Sequence, residues 1–275
     1  MKLDFLIIGS QKAGTTSIFE VLKNHAEIFM PPEKELNYFF DEKSYKKGED
    51  FYHSYFSDAQ YGKVLGEASP GYIVHPKAAR RIHAYNPNIK LILTVRNPID
   101  RAYSQYWHKR RNLNIFNEFE YYLKYLNFES YKKGSNGLFS RGFYIDYIEE
   151  YLKYFSREQL LILDFDELKS NPQGFFNKIT SFIGTKDVDY LDASNQNRNK
   201  ASFYDNYLYR FLFNNPIYIR YLPRFLKGFL FRGNKVAYDY EEINGSVKSK
   251  LSKYFLPRNR SLSRFLKKDL DHWND

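Results

Sequence analysis

The stretch FLIIGSQKAGTTSIFEVL, residues 5–22, joins an apolar run to a polar loop with two glycines, then to an amphipathic run. Residues 5–8 are continuously apolar, as a strand buried on both faces is. Gly9 and Gly14 bracket the loop, and Thr15, Thr16 and Ser17 open the helix that follows. Such a loop turns several backbone N–H groups toward one point, and the helix N-terminus adds partial positive charge. A phosphate or sulfate site is therefore predicted. The glycines permit close approach, the three hydroxyls are further donors, and Lys12 is a mobile charge beside the anion. A Walker A loop, G-x-x-x-x-G-K-[ST], carries its lysine directly after the second glycine. Thr15 holds that place here, and the loop's one lysine comes earlier.

Outward from this stretch, short apolar runs alternate with helical patterns. Residues 5–8, 64–67, 91–95 and 160–164 read as buried strands, and 16–24, 77–85, 99–111 and 144–155 as helices. That alternation implies βαβ units, hence an α/β fold with a P-loop-type parallel β-sheet flanked by helices on both faces. Right-handed crossovers would line up the loops that follow the strands along one edge, where ligands bind. A single domain is expected over residues 1–275, with a helical or loop insertion around 112–140 and no internal repeat. The insertion is polar and carries no strand signal.

One of those strand ends is a second candidate anion site. In LILTVRNPIDRAYSQYWHKRR, residues 91–111, Arg96 ends the strand, Asn97 is a candidate N-cap and Pro98 suits the first helical position. Ser104 lies two turns into the helix. A guanidinium and a hydroxyl so placed can clamp one phosphate from two sides. Two anion sites at neighbouring strand ends suit a nucleotide with phosphates at both ends. Nucleotide hydrolysis would also need a magnesium carboxylate at a strand end. The strand ends read Glu67, Arg96 and Asp164, and a cation stands at the one that follows LILTV.

Composition narrows the classes. Cysteine is absent, which excludes disulfides and thiolate metal sites. The chain passes from Met-Lys-Leu-Asp into a strand with no leader-like segment, and no apolar run of spanning length follows. A cytoplasmic protein is expected. The net charge of +10 favours an anionic ligand. Residues 198–235 carry eight Lys or Arg against one acid, interleaved with aromatics. They read as a helical pair with basic residues outward, as a lid over an anion, or as a membrane-surface contact.

These motifs resemble those of the PAPS-dependent sulfotransferases (PAPS is 3′-phosphoadenosine-5′-phosphosulfate), most closely the branch of the heparan sulfate N- and 3-O-sulfotransferase domains and their bacterial relatives. IIGSQKAGTTS is similar to the family's 5′-phosphosulfate loop, and LTVRNPIDRAYSQYW to its 3′-phosphate motif. KELNYFFDEKSYKKGEDFYHSYF (34–56) is similar to the K-E-x-x-F-F segment of that branch, and LSKYFLPRNRSL (251–262) to a C-terminal signature of bacterial members. The resemblance is weakest over 112–140 and 198–245.

The resemblance implies that Lys12, Ala13, Gly14, Thr15, Thr16 and Ser17 hold the 5′-phosphosulfate and that Arg96 and Ser104 hold the 3′-phosphate. Tyr144 is implied near the adenosine side, with Arg198 and Lys200 where relatives close over the nucleotide. Glu35 falls at the place of the family's catalytic base, Lys12 would steady the leaving phosphate, and His108 falls near the acceptor. The 3-O-sulfotransferases carry a lysine in E-K-T-P where this chain reads Glu67-Ala68-Ser69-Pro70. Glu67 is thus a second candidate carboxylate toward the acceptor. PAPS would be the donor with no metal required, and the acceptor a small molecule or a glycan. The competing readings are a P-loop kinase or hydrolase, and a basic non-enzymatic binder of membrane or nucleic acid. A nucleic-acid partner is not expected, membrane contact is not favoured, and nothing in the sequence sets an oligomeric state.

Overall fold

The computed structural model describes residues 1–111, 118–126, 137–187, 189–190, 202–204, 235–237 and 242–274. The chain opens with β1 (Phe5–Gly9), α1 (Thr15–Lys23) and the short β2 (Ile28–Phe29). Two short helices follow, α2 (Glu42–Tyr45) and α3 (Gly48–His53), then β3 (Val64–Ala68) and α4 (Ala78–Tyr85). Next come β4 (Lys90–Val95), α5 (Pro98–Arg111), α6 (Tyr144–Tyr151) and β5 (Leu160–Asp164). Helices α7 (Phe165–Ser170) and α8 (Pro172–Ile183) are adjacent, and after strands β6 (Ser202–Tyr204) and β7 (Lys235–Ala237) comes the long α9 (Gly245–Leu266).

β1 to β5 form one all-parallel sheet in the order β2-β3-β1-β4-β5. The period of two divides its side chains between two cores. Leu6, Ile8, Leu91 and Leu93 face one layer with Ile82 of α4 and Ile148 of α6. Phe5, Ile7 and Ile92 face the other, with Ile18 and Leu22 of α1 and Phe175, Phe176 and Ile179 of α8. Gly66 pairs with Phe5, whose ring lies where a Cβ would stand. A third cluster joins Ala102 and Tyr106 of α5 to Val247, Leu251 and Phe255 of α9.

The chain moves to one side of β1 for β2 and β3, then crosses to the other for β4. The C-terminal end of β1 is therefore a topological switch point, where open α/β sheets bind ligands. All four expected strands and all four expected helices are present; strand 160–164 has the expected ends and the others differ by up to a few residues. Within the 112–140 stretch, Phe119–Tyr125 forms a 3-10 turn whose Phe119 is buried. At the edges of the basic stretch, Ser202 pairs antiparallel with Ala237. The three readings of that stretch, and its Arg198 and Lys200, otherwise lie outside the described residues. No helix among the described residues is long and apolar enough to cross a membrane.

Candidate functional site

The loop from β1 to α1 occupies the switch point. Ser10 is tied to β4, with its N–H donating to the Thr94 carbonyl at 3.0 Å and its hydroxyl to the same oxygen at 2.8 Å. Lys12 at φ 69° and Gly14 at φ 82° both lie in the left-handed region. Left-handed turns within such a loop make a concavity of backbone N–H groups suited to an anion. A Cβ on Gly14 would stand 2.9 Å from Leu168 and from the Phe165 ring, so this position needs glycine for space as well as conformation. α1 starts with no side-chain cap and no acidic residue in its first turn. The donors of that turn are thus left for a ligand. Ala13 and Thr15 are buried, Thr16 is half-buried, and Ser17 is exposed.

Arg96, at the end of β4, lies beside this loop. Its Nη1 donates to the Lys12 carbonyl at 3.0 Å, and its guanidinium lies over the Phe165 ring at 5.0 Å. Asn97 caps α5 as expected, accepting from the Ile99 N–H at 2.9 Å. Ser104 and His108 are one turn apart on α5, both half-buried. Tyr144, expected toward the adenosine side, lies against Arg96. It is buried, and its hydroxyl donates to the Arg96 carbonyl at 2.8 Å, so it supports Arg96 from within the core.

Glu35 is exposed and lies in the left-handed region at φ 63°. Its N–H donates to the Ala68 carbonyl at 3.0 Å, which brings the segment to the end of β3, beside β1. The neighbouring Lys34 bridges to the loop, with Nζ 3.1 Å from Thr16 Oγ1 and 3.3 Å from Glu35 Oε1. Glu67, expected toward the acceptor, lies inside the core. It has no exposed surface, and Tyr52 and Tyr72 each donate to its Oε2 at 2.9 Å while Ser69 donates to Oε1. Burial pushes its carboxyl up to about 7, against the lowering effect of those three hydroxyls.

Two cations absent from the sequence expectations, Lys34 and Arg141, touch the loop. Arg141 Nη1 donates to Gln11 Oε1 at 2.7 Å, and burial holds its guanidinium below the ordinary value. Arg101 is fully buried on α5, with Nη1 2.7 Å from Gln105 Oε1 and Nη2 on the Leu138 carbonyl; burial lowers it to about 10. Lys109, one turn beyond Gln105, is lowered by burial and by Arg141 and Arg101. The spacing 101, 105, 109 marks one helix face. It was available as a signal, but nothing local ties Arg141 to Gln11. Asp164, the last strand-end carboxylate, accepts from the Asp166 N–H and pairs with Lys268 at 2.7 Å.

A family model described as "Sulfotransferase domain" matches residues 2–210. The bifunctional heparan sulfate N-deacetylase/N-sulfotransferase 1 of Caenorhabditis elegans is 28% identical over 282 residues, 97% of this chain and 30% of its own length. The heparan sulfate glucosamine 3-O-sulfotransferase 6 of Homo sapiens is 31% identical, over 66% of this chain and 52% of its own length. A crystal structure of a sulfotransferase from Alicyclobacillus acidocaldarius shares the fold over the whole of both chains, at a TM-score of 0.71 and 23% identity. The chain thus spans about half or less of the curated relatives it matches. With a family match over most of its length, the chain belongs to the sulfotransferase domain family.

Proposed function

We propose that the protein transfers the sulfuryl group of PAPS to a hydroxyl or amine of an acceptor. One observation carries this reading: an uncapped helix N-terminus after β1 and an arginine after β4 stand side by side, joined by the bond from Arg96 to the Lys12 carbonyl. Lys12, Ala13, Gly14, Thr15, Thr16 and Ser17 would receive the 5′-phosphosulfate, and Arg96 with Ser104 the 3′-phosphate. Glu35, exposed at the rim of this loop, is the base that takes the acceptor's proton as its oxygen or nitrogen attacks sulfur. A new bond to sulfur forms as the bridging oxygen–sulfur bond opposite breaks. Lys12 steadies the charge that collects on the departing phosphate oxygen. His108, half-buried four residues beyond Ser104, is assigned to the acceptor side. The relatives named for heparan sulfate support a glycan acceptor, and a small-molecule acceptor fits the same chemistry.

Isothermal titration with PAP, the desulfated product, tests the donor. Tight binding that EDTA does not alter is expected, and absence of binding would overturn the reading. A second assay uses ³⁵S-labelled PAPS against de-N-sulfated heparan oligosaccharides, simple phenols and amino sugars. It identifies the acceptor, and Glu35→Gln should abolish the transfer that it detects.

A further inference from the structure

The buried carboxylate of β3 has no place in that mechanism, yet it lies at the centre of the contacts that hold the Glu35 segment. Glu67 accepts from three hydroxyls, those of Tyr52, Tyr72 and Ser69. A hydroxyl has one proton to donate and two lone pairs to accept with. Once its proton points at the carboxylate, its lone pairs point elsewhere. Ser69 Oγ accepts the Asn37 N–H at 2.9 Å, and the Tyr72 hydroxyl accepts the Phe39 N–H at 3.4 Å. Between these residues of β3 and its loop, the Ala68 carbonyl takes the Glu35 N–H at 3.0 Å. Alternate amides of residues 35, 37 and 39 are thus bonded to residues 68, 69 and 72.

The segment needs such a hold. Glu35 at φ 63° and Asn37 at φ 58° both lie in the left-handed region, and neither is a glycine. A non-glycine residue persists there when its surroundings impose the conformation. Removing the carboxylate would free Ser69 to turn its proton to another acceptor, leaving the Asn37 N–H without its partner.

We propose that Glu67 is a positioning residue, whose buried carboxylate orients Ser69 and Tyr72 so that they fix the backbone turn presenting Glu35 to the donor loop. The inference rests on Glu35 being the base.

The test uses the full chain, ¹⁵N-labelled and loaded with PAP, and compares Glu67→Gln, Ser69→Ala and Ser69→Thr. Amide exchange is read at Asn37 and Phe39, and turnover with ³⁵S-PAPS on the acceptor panel above. In Glu67→Gln and Ser69→Ala, exchange at Asn37 should rise about tenfold or more and kcat should fall by about as much. PAP affinity should stay within about threefold, because the loop is untouched. Ser69→Thr keeps the hydroxyl and should restore both readouts toward the unmodified protein. Should Glu67→Gln fail to fold, Ser69→Ala and Tyr52→Phe carry the comparison. Exchange at Asn37 unchanged in Ser69→Ala, or raised with kcat unaffected, overturns the proposal. Transfer retained by Glu35→Gln would instead remove the base assignment, so the two failures are read from different variants.

Discussion

A carboxyl group without solvent contact ionises only as far as its donors stabilise the charge, and at Glu67 burial outweighs three hydroxyls. Its pKa is raised from 4.5 to about 7, with Glu35 a minor like-charge contribution in the same direction. Between those values the folded chain binds more proton than the unfolded chain. Stability from this group therefore falls as pH rises through that window, by on the order of 3 kcal/mol in all. The penalty is absent below the unfolded value and complete above the folded one. Glu67→Gln, which cannot ionise, should lose this slope. Thermal unfolding at pH 5 and pH 8 checks it: the variant's Tm relative to the parent should be higher at the alkaline end. Lys12 supports a second prediction at this scale. Lys12→Ala and Lys12→Gly should both abolish turnover, but only the glycine variant accepts φ 69° without strain. The glycine variant should accordingly bind PAP more tightly than the alanine variant, as titration would show.

At the scale of elements, the α1 N-terminus depends on Gly14. Gly14→Ala would place a methyl 2.9 Å from Leu168 and Phe165 in a left-handed conformation that disfavours it by about 1–2 kcal/mol. The helix start must then shift, and PAP affinity should drop about tenfold or more by titration. The same scale separates what was legible in the sequence from what was not. Continuous apolar runs marked the four long strands, and Asn97-Pro98 marked the start of α5. The Glu35 turn was opaque because its left-handed residues are Glu and Asn, types that carry no turn signal as strong as glycine. β2 has only two residues, Ile28 and Phe29, too few for a period. Tyr144 was legible as a site-adjacent residue but not as a buried support for Arg96, since its partner is a backbone carbonyl 48 residues away.

Over the whole molecule, the C-terminal region reaches back to the candidate site through Asn97 and Tyr144. Trp273 is fully buried, packs edge-on against Tyr144 at 6.4 Å, and accepts from Asn97 Nδ2 through its carbonyl. Trp273→Ala should cost roughly 3–5 kcal/mol of stability. Because Tyr144 holds the Arg96 carbonyl, PAP affinity should also weaken in the folded fraction, although Trp273 is remote in sequence from the loop. Denaturant unfolding and titration at low temperature separate the two effects. The net charge of +10 acts at longer range. PAP association should slow as salt is raised from about 0.05 M to 0.5 M, with the larger loss in on-rate by stopped flow.

On the proposed reading, the bond from Arg96 to the Lys12 carbonyl joins the two anchors as the jaws of a fixed gauge. A jaw that moved freely would grip any anion of sufficient charge. Here the arginine that would hold one phosphate also braces the loop that would hold the other. Selection then works on molecular length: a nucleotide with a phosphate at one end only fills one jaw and leaves the other's donors unmatched. On the proposed reading, adenosine 5′-monophosphate and adenosine 5′-phosphosulfate are turned away by being too short, however well their phosphates fit the loop.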